Sequence, residues 1–568
     1  MRTRLVVLAL TVFTTATTAC AGHSGAPGAP ATPSGNAPDI TAADLRKRLF
    51  IFSDDSMLGR EAGTLGNVKG TNYIAAQAAK LGLRPAGDNG TFFQQVPLVL
   101  HQPDPASKLV ADGAPLTSGQ DYLLLPSFGG LFGTSFTSAG TQAIYAGRLG
   151  DTTAAIPADL TVGKVVVFDA PLGPDGRPTG GFNGRASLER YPKAAAIAIA
   201  MLDYVPPMLT MLLNRPQTAI AGAESGPVDR PVGMIITQQA AARMLGAAPS
   251  GLQLGAVGRA VSGMMRTVDT PTPSPARNVV AILPGSDPTL AGEYVAIGGH
   301  NDHLGVNAQP VDHDSARAAL TARWRLRGLD PEGPQLTPAQ VAAIHINVDS
   351  LHRIRPARRD SVYNGADDDG SGAISVLELA QAFAESHPRP RRSILFVWHT
   401  GEEKGLLGSQ YFTDHPTVSR DSIVAQLNMD MVGRGDSADI KGGGPRYLEL
   451  VGSRRLSTEL GDLVETVNKT EPMPFEFDYQ FDANGHPENI YCRSDHYEYA
   501  RYGIPIVFFT TGLHQDYHQL TDEAQYIDFD HMARVDRLVY DIAVRVADLD
   551  HRIVVDKPKP DPHGQCRQ

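Results

Sequence analysis

Ser393-Ile-Leu-Phe-Val-Trp-His-Thr-Gly-Glu-Glu403 is an apolar run that ends abruptly in an imidazole, a glycine and a pair of carboxylates. Six residues rich in branched and aromatic side chains, stopped by Thr400-Gly401, predict a strand buried on both faces. Working outward, the same grammar recurs. Glu293–Ile297 runs into Gly298-Gly299-His300-Asn301-Asp302-His303, and Ile423–Leu427 into Asn428-Met429-Asp430. Ile504–Phe509 runs into Thr510-Thr-Gly-Leu-His514-Gln-Asp516-Tyr-His518, and Val279–Leu283 is a further strand-like run. Helical patterns lie between several of these, over Gly372–Glu385, Ser457–Val467 and Phe529–Leu549. Strands alternating with helices predict an α/β fold, a mostly parallel sheet sandwiched by helices. Ligands of such sheets bind outside the carboxyl ends of the strands.

Those ends are where the chemistry collects. His300, Asp302, Glu402, Glu403, Asp430, His514 and His518 all follow strands, and Asn364-Gly-Ala-Asp367-Asp368-Asp369-Gly-Ser-Gly372 opens a helix from a glycine-bounded turn. Singly, each has a plain explanation: a polar strand end, or acidic residues favoured at a helix N-terminus. Five such sites converging on one crevice would repel one another and call for cations. Imidazole with carboxylate and no cysteine suits zinc or a similar divalent metal. The donors outnumber the needs of one tetrahedral ion. Two divalent ions facing three carboxylates and one hydroxide would balance to zero charge.

The rest of the composition narrows the classes. The chain has 568 residues, 42% hydrophobic and 20% charged, enough for several domains with large cores. A net charge of −11 offers no basic excess for phosphates and argues against nucleic acid as a partner. Three cysteines are too few for a disulfide scaffold. Neither a Gly-x-Ser-x-Gly nucleophile turn nor a His-Glu-x-x-His helix occurs. At the N-terminus Arg2 and Arg4 precede the apolar run Leu5–Phe13, small residues and Cys20. Residues 1–19 are expected to be a signal peptide and 20–39 a flexible tether, with Cys20 as a lipid anchor in a lipobox-like Thr17-Thr18-Ala19-Cys20. This predicts an exported protein, periplasmic or extracellular, touching a bacterial membrane only through that anchor. Residues 40–100 read as helices and turns, with helical stretches at Asp44–Phe50 and Thr71–Leu81. Residues 101–270 read as a β-rich module with strands at Tyr122–Leu125 and Lys164–Phe168 and an Ala-rich helix near Lys193–Leu202. Residues 271–555 form the alternating domain, and 556–568 a Pro-rich tail in which Cys566 is expected not to pair with Cys492.

The segments GGHNDHLG, NGADDDGSG, GEEKGLLGS, NMDMVG and DYHQLTD, in this order, resemble the co-catalytic di-zinc exopeptidase family of bacterial leucyl aminopeptidases and glutamate carboxypeptidases. Residues 101–270 look like the protease-associated domain often inserted in that family. The resemblance implies a zinc aminopeptidase, a hydrolase carrying two zinc ions and acting on peptide substrates. Carried over by position, His300 and Asp430 would hold one zinc, Glu403 and His518 the other, and Asp368 would bridge them. Glu402 would be the general base, and Asp302 the carboxylate that orients the His300 ring. His514 competes with His518, and the Asp-Tyr before His518 favours the latter. The resemblance also implies a cis peptide after Asp368. The implied mechanism is attack by a hydroxide bridging the two ions, with Glu402 shuttling the proton.

Departures from the pattern leave alternatives. An insert over 306–362 carries Arg317, Arg323, Arg325, Arg327, Arg353, Arg355, Arg358 and Arg359. It reads as a solvated helical cover or an oligomer contact, or else as a lid whose arginines clamp a substrate carboxylate. The lid would favour a carboxypeptidase; a dipeptidase is the neighbouring alternative. Ser494, Asp495 and His496 precede the last strand and are candidates for the specificity pocket, with His514. Glutaminyl cyclases share the implied fold, and so do receptors that have lost the metal ligands. The complete ligand set argues against the latter.

Overall fold

The computed structural model describes residues 39–568 apart from 126–130, 152, 154, 174–183, 207–209, 211–214 and 223–229. The expected signal peptide, the Cys20 anchor and nearly all of the 20–39 tether lie outside the described residues. No described helix is long and apolar enough to cross a membrane.

Two sheets organise the chain. The nine-stranded sheet runs in the order Arg84–Pro85, Ala276–Leu283, Ser393–His399, Tyr294–His300, Ile423–Met429, Ile506–Thr510, Tyr447–Val451 and Glu476–Asp478, with Phe93–Val96 also on Ala276–Leu283. Only its centre is uniformly parallel. Ser393–His399, Tyr294–His300, Ile423–Met429 and Ile506–Thr510 share one direction. The flanking Ala276–Leu283 and Tyr447–Val451 pair antiparallel to their inner neighbours. The expected mostly parallel sheet is therefore a mixed one. Its reversed flanks come from residues 84–96, which pair with Ala276–Leu283, and from the Tyr447–Val451 segment.

Side-chain alternation feeds both faces of this sheet. Val279, Ala281 and Leu283 pack into one apolar cluster and Val280 and Ile282 into another. The first is covered by helices Ala42–Phe52, Leu65–Lys80, Gly372–Glu385 and Phe529–Asp548, the second by Leu407–Asp414 and His496–Ala500. Trp398, fully buried, locks sheet to helix by donating its indole N–H to the Ala373 carbonyl at 2.8 Å. Register brings the functional strand ends level. His300 pairs with His399, Gly298 with Asn428 and Met429 with Phe509, so four loops leave the sheet along one edge.

The second sheet, ten strands in the order Gln217–Ile220, Leu98–Pro103, Val257–Pro271, Ser135–Arg148, Val165–Asp169, Ala196–Ala200, Val232–Ile236 and Tyr122–Leu124 with two further strands off that path, belongs to a separate β-rich unit. The chain enters it at Leu98 and leaves it at Pro271 on paired strands, Val99 opposite Pro271. A whole unit can thus sit inside the first domain without disturbing its sheet. The expected helix near Lys193–Leu202 is instead the strand Ala196–Ala200. Its five residues alternate alanine and isoleucine, every one is buried, and the isoleucines and alanines face opposite clusters. That period of two outweighs the helix propensity of alanine.

The insert over 306–362 forms a two-stranded antiparallel ribbon, Val306–Asp312 with Arg359–Val362, enclosing helices His313–Leu326, Pro338–Ala342 and Val348–Ile354. The C-terminal tail is fastened, contrary to expectation. Cys492 and Cys566 form a disulfide. The Gln568 side chain accepts from the Tyr491 N–H and donates to the Ala483 carbonyl, each at 3.0 Å, which brings the tail onto the loop holding Cys492.

Candidate metal centre

Gly299 is where the centre begins. A Cβ there would stand 2.6 Å from the Met429 carbonyl and 2.8 Å from Asp369 Oδ2. Only a bare backbone lets the strand end approach the Asp367–Asp369 turn so closely. Across that gap the His300 N–H donates to Asp369 Oδ2 at 2.8 Å, and the Gly372 N–H to Asp369 Oδ1 at 2.8 Å. With both oxygens engaged by backbone, Asp369 braces the turn. Asp367 does likewise, accepting from the Gly433 N–H at 2.7 Å and facing His514 Nε2 at 3.0 Å. Asp522 accepts the backbone N–H groups of Asp367 and Asp368. Asp368 alone of the three keeps both oxygens for the crevice, and the Asp368–Asp369 peptide is cis.

Asp368 stands between two imidazoles. Its Oδ1 lies 3.1 Å from His300 Nε2 and its Oδ2 lies 3.0 Å from His518 Nε2. Asp430 Oδ1 faces His300 Nε2 at 3.6 Å, and Glu403 Oε2 faces His518 Nε2 at 3.0 Å. Donors bound to one zinc at about 2.0–2.1 Å stand about 3.3 Å apart, the edge of a tetrahedron. The separations cluster around that edge. His300 Nε2 and Asp368 Oδ2 are buried without a hydrogen-bond partner. A buried imidazole nitrogen and a buried carboxylate oxygen aimed at a shared point fit a cation there. The donor set, two His, two Asp and one Glu, suits zinc, and Asp368 is the one residue reaching both halves.

Outer contacts hold these donors. His300 Nδ1 donates to the Asp302 carbonyl at 3.1 Å, nearer than the Asp302 carboxylate at 3.7 Å. The Asp302 carboxylate accepts the Glu402 N–H at 3.2 Å, so it fixes the Glu402 turn as well as facing the ring. Ser494 Oγ donates to Asp430 Oδ2 at 2.7 Å and accepts from Asn428 Nδ2 at 3.1 Å. His303, which the sequence reading left without a role, meets Glu403 Oε1 at 2.7 Å and so frees Oε2 for His518. Its position in Gly-Gly-His-Asn-Asp-His, one residue past Asp302, was the available signal. Glu402 Oε2 is 4.0 Å from His300 Nε2, beyond the ligand distances. Burial raises the Glu402 carboxyl well above the ordinary range, His300 pulls against this, and Asp430 and Glu403 add to it. For Asp368 burial pushes up, but His300 and His518 hold it well below.

The remaining candidates separate. Ser494 lines the crevice. Asp495 and His496 do not: Asp495 is fully buried 3.3 Å from His399 Nδ1, and His496 stacks on Phe508 with ring centroids 4.7 Å apart. Burial drives the His496 imidazole down to about 3, so it packs as a neutral ring. His514 is a positioning partner of Asp367 and lines a neighbouring groove. The pocket beside the centre, about 50 Å³, is closed by Met431, Phe481, Ile490, Phe508, Leu513 and Tyr517, and opens on Asp368, Glu402, Asp430 and His518. Those apolar residues come from separate loops and strands, and no local motif marked them.

Residues 278–543 match the model of peptidase family M28. Leucine aminopeptidase 1 of Paracoccidioides brasiliensis is 33% identical over 192 residues, 32% of this chain and 46% of that protein. Leucine aminopeptidase 1 of Coccidioides posadasii is 32% identical over 194 residues, 32% of this chain and 47% of that protein. The chain thus spans about half the length of the curated relatives it matches. Among solved structures, an aminopeptidase from Aneurinibacillus sp. strain AM-1 aligns over 92% of this chain and 97% of its own, at 15% identity and a TM-score of 0.46. A zinc aminopeptidase from Bacillus subtilis aligns over 90% and 96%, at 16% identity and a TM-score of 0.44.

Proposed function

Because residues 278–543 match the model of peptidase family M28, we propose that the chain belongs to that family and is a metal-dependent aminopeptidase that holds two zinc ions and releases N-terminal residues from peptides. The observation that carries this is the apolar pocket opening on a centre of two imidazoles and three carboxylates, with the uncommitted Glu402 at its edge. His300 and Asp430 would hold one ion and Glu403 and His518 the other, with Asp368 facing both pairs. Bound there, zinc supplies Lewis acidity toward the scissile carbonyl and lowers the pKa of water. Glu402 takes the proton of the attacking water on its carboxylate and returns it to the leaving amine. Ser494, Asp302 and His303 keep Asp430, His300 and Glu403 in place while this happens. Arg493, the cation on the pocket wall, is spent on Glu488 at 3.0 Å and on the Tyr517 hydroxyl at 3.2 Å. This favours an amino- over a carboxypeptidase. Carried to this chain, the relatives' name points to leucine, which the small apolar pocket suits.

Residues 101–270 act as a protease-associated domain on this reading, and the N-terminal segment exports the chain and anchors it through Cys20. A disulfide between Cys492 and Cys566 supports an oxidising compartment. The test pairs metal content with a peptide panel, free, N-blocked and C-amidated. Two zinc ions per chain and cleavage that requires a free N-terminus are expected. Cleavage that requires a free C-terminus would overturn the aminopeptidase reading.

A further inference from the structure

Beside the apolar pocket lies a second, larger cavity of about 470 Å³, walled on one side by helix His313–Leu326 of the arginine-rich insert and on the other by Leu513–Tyr517. The two spaces share Leu513 and Tyr517. A side chain in the apolar pocket leaves the rest of an extended peptide to depart from the centre, and the shared wall leads into this groove. Its volume falls in the range of about 300–1,000 Å³ that suits bound ligands.

The insert is fixed in place before any substrate arrives. Trp324 donates its indole N–H to the Asp439 carbonyl at 2.6 Å, Lys441 pairs with Asp330 at 2.9 Å, and His486 faces Glu332 at 2.6 Å. At its root His313 meets Asp360 and Glu523 at 3.0 and 3.1 Å. Four of the insert's eight arginines are already engaged, and of the remaining four only Arg323 lines the groove. Arg317 pairs with Asp516 at 3.2 Å, Arg355 with Asp314 at 2.6 Å and Arg358 with Glu523 at 3.2 Å. Arg327 donates to the Gly333 carbonyl at 3.1 Å. On the groove wall the acid Glu488 is neutralised by Arg493. Arg323 lines the same groove, is exposed, and forms no ion pair with a described residue.

We propose that this groove is the subsite for the departing part of the substrate, and that Arg323 receives the C-terminal carboxylate of a short peptide. The inference rests on the aminopeptidase reading and adds to it a preference for short peptides with free C-termini. The carboxylate-clamping role foreseen for the insert then serves chain length, not carboxypeptidase cleavage.

The probes are Leu-Gly, Leu-Gly-Gly, Leu-Gly-Gly-Gly and Leu-Gly-Gly-Gly-Gly, each as free acid and as C-amide, with leucine p-nitroanilide as reference. At the length that reaches Arg323, kcat/KM for the acid should exceed that for the amide by about fivefold, the upper end for an exposed ion pair. The gain should lie in KM and fade with salt. Arg323→Gln should bring the ratio near one and Arg323→Glu below one. A wild-type ratio near one at every length, or a preference that persists in Arg323→Gln, would overturn the subsite. Failure to release leucine from every peptide and from the anilide would instead overturn the aminopeptidase reading beneath it.

Discussion

Glu402→Gln is the sharpest test of the division of labour in the centre. Glu402 leaves the sheet on the short turn Glu402–Lys404, and its Oε2 stands 4.0 Å from His300 Nε2. Asp368 and Asp430 approach the same nitrogen at 3.1 and 3.6 Å, and Glu403 and His518 are 3.0 Å apart in the other half. All five proposed ligands are therefore complete without Glu402. Glutamine keeps the side chain's size and leaves the Glu402 backbone N–H bonded to Asp302. It cannot accept a proton from water. Positioned general bases contribute about 10²–10⁴ in rate, or about 3–5 kcal/mol at 1.36 kcal/mol per decade. The variant should bind two zinc ions per chain, melt near the wild-type temperature, and lose about two to four decades of kcat/KM on leucine p-nitroanilide. Metal analysis and steady-state kinetics on the same preparation decide the matter. A loss under tenfold with metal retained would refute the base. Loss of zinc along with activity would make Glu402 a ligand and break the assignment of Glu403.

Other expectations follow from single contacts. Ser494→Ala removes the donor that meets Asp430 Oδ2 at 2.7 Å, and zinc affinity measured by chelator competition should fall about 10- to 100-fold. Cys492→Ser opens a cross-link between residues 74 apart in sequence, and denaturant unfolding should report a loss of about 2–4 kcal/mol, reproduced by reductant on the wild type. Glu449, buried behind the pocket, is pushed by burial up to about 8 from 4.5, while the Phe481 N–H bond opposes the shift. A carboxyl raised in the folded state contributes stability that is complete below about 4.5 and lost as the pH climbs through about 8. Glu449→Gln should thus gain on the wild type by up to a few kcal/mol between pH 5 and 9, read as diverging melting temperatures. Parallel pH dependence of the two proteins would contradict this.

What could be read in the sequence was whatever the chain writes locally. Gly372–Glu385 carries its apolar period and its glycine start within one segment, and the helix occupies those residues. The central strands end where their apolar runs end, so the alignment of His300, Glu402 and Asp430 at one edge followed from strand pattern and the rule for strand carboxyl ends. Choosing Asp368 among three aspartates needed the resemblance. The physical reason appears only in space, where backbone N–H groups claim Asp367 and Asp369 from Gly433, His300 and Gly372. The strand Tyr447–Val451 escaped notice because Glu449 breaks its apolar run, and that buried carboxyl is satisfied by a bond from Tyr447 and another from Phe481.

Asp495 and His496 show why position beside a site is weak evidence for membership in it. Ser494, Asp495 and His496 are consecutive, yet Ser494 lies on the pocket wall beside Asp430, Asp495 turns to His399, and His496 stacks on Phe508. Three neighbours in a turn leading into a helix point in three directions, and one of the three reaches the crevice. The pocket is assembled the other way, from residues far apart in sequence: Met431 after one strand, Phe481 and Ile490 from the loop secured by Cys492, Phe508 within another strand, and Leu513 and Tyr517 beyond it. Chemistry at the centre demands particular residue types, so it leaves motifs. An apolar wall demands only volume and burial, which many residues supply. Selectivity is therefore set where the sequence is least explicit, and the disulfide that holds the Phe481–Ile490 loop makes pocket shape depend on a cross-link in the C-terminal tail. Reduction should accordingly change the ranking of N-terminal residues cleaved before it releases zinc, and simultaneous loss of both would argue that the tail supports the whole centre.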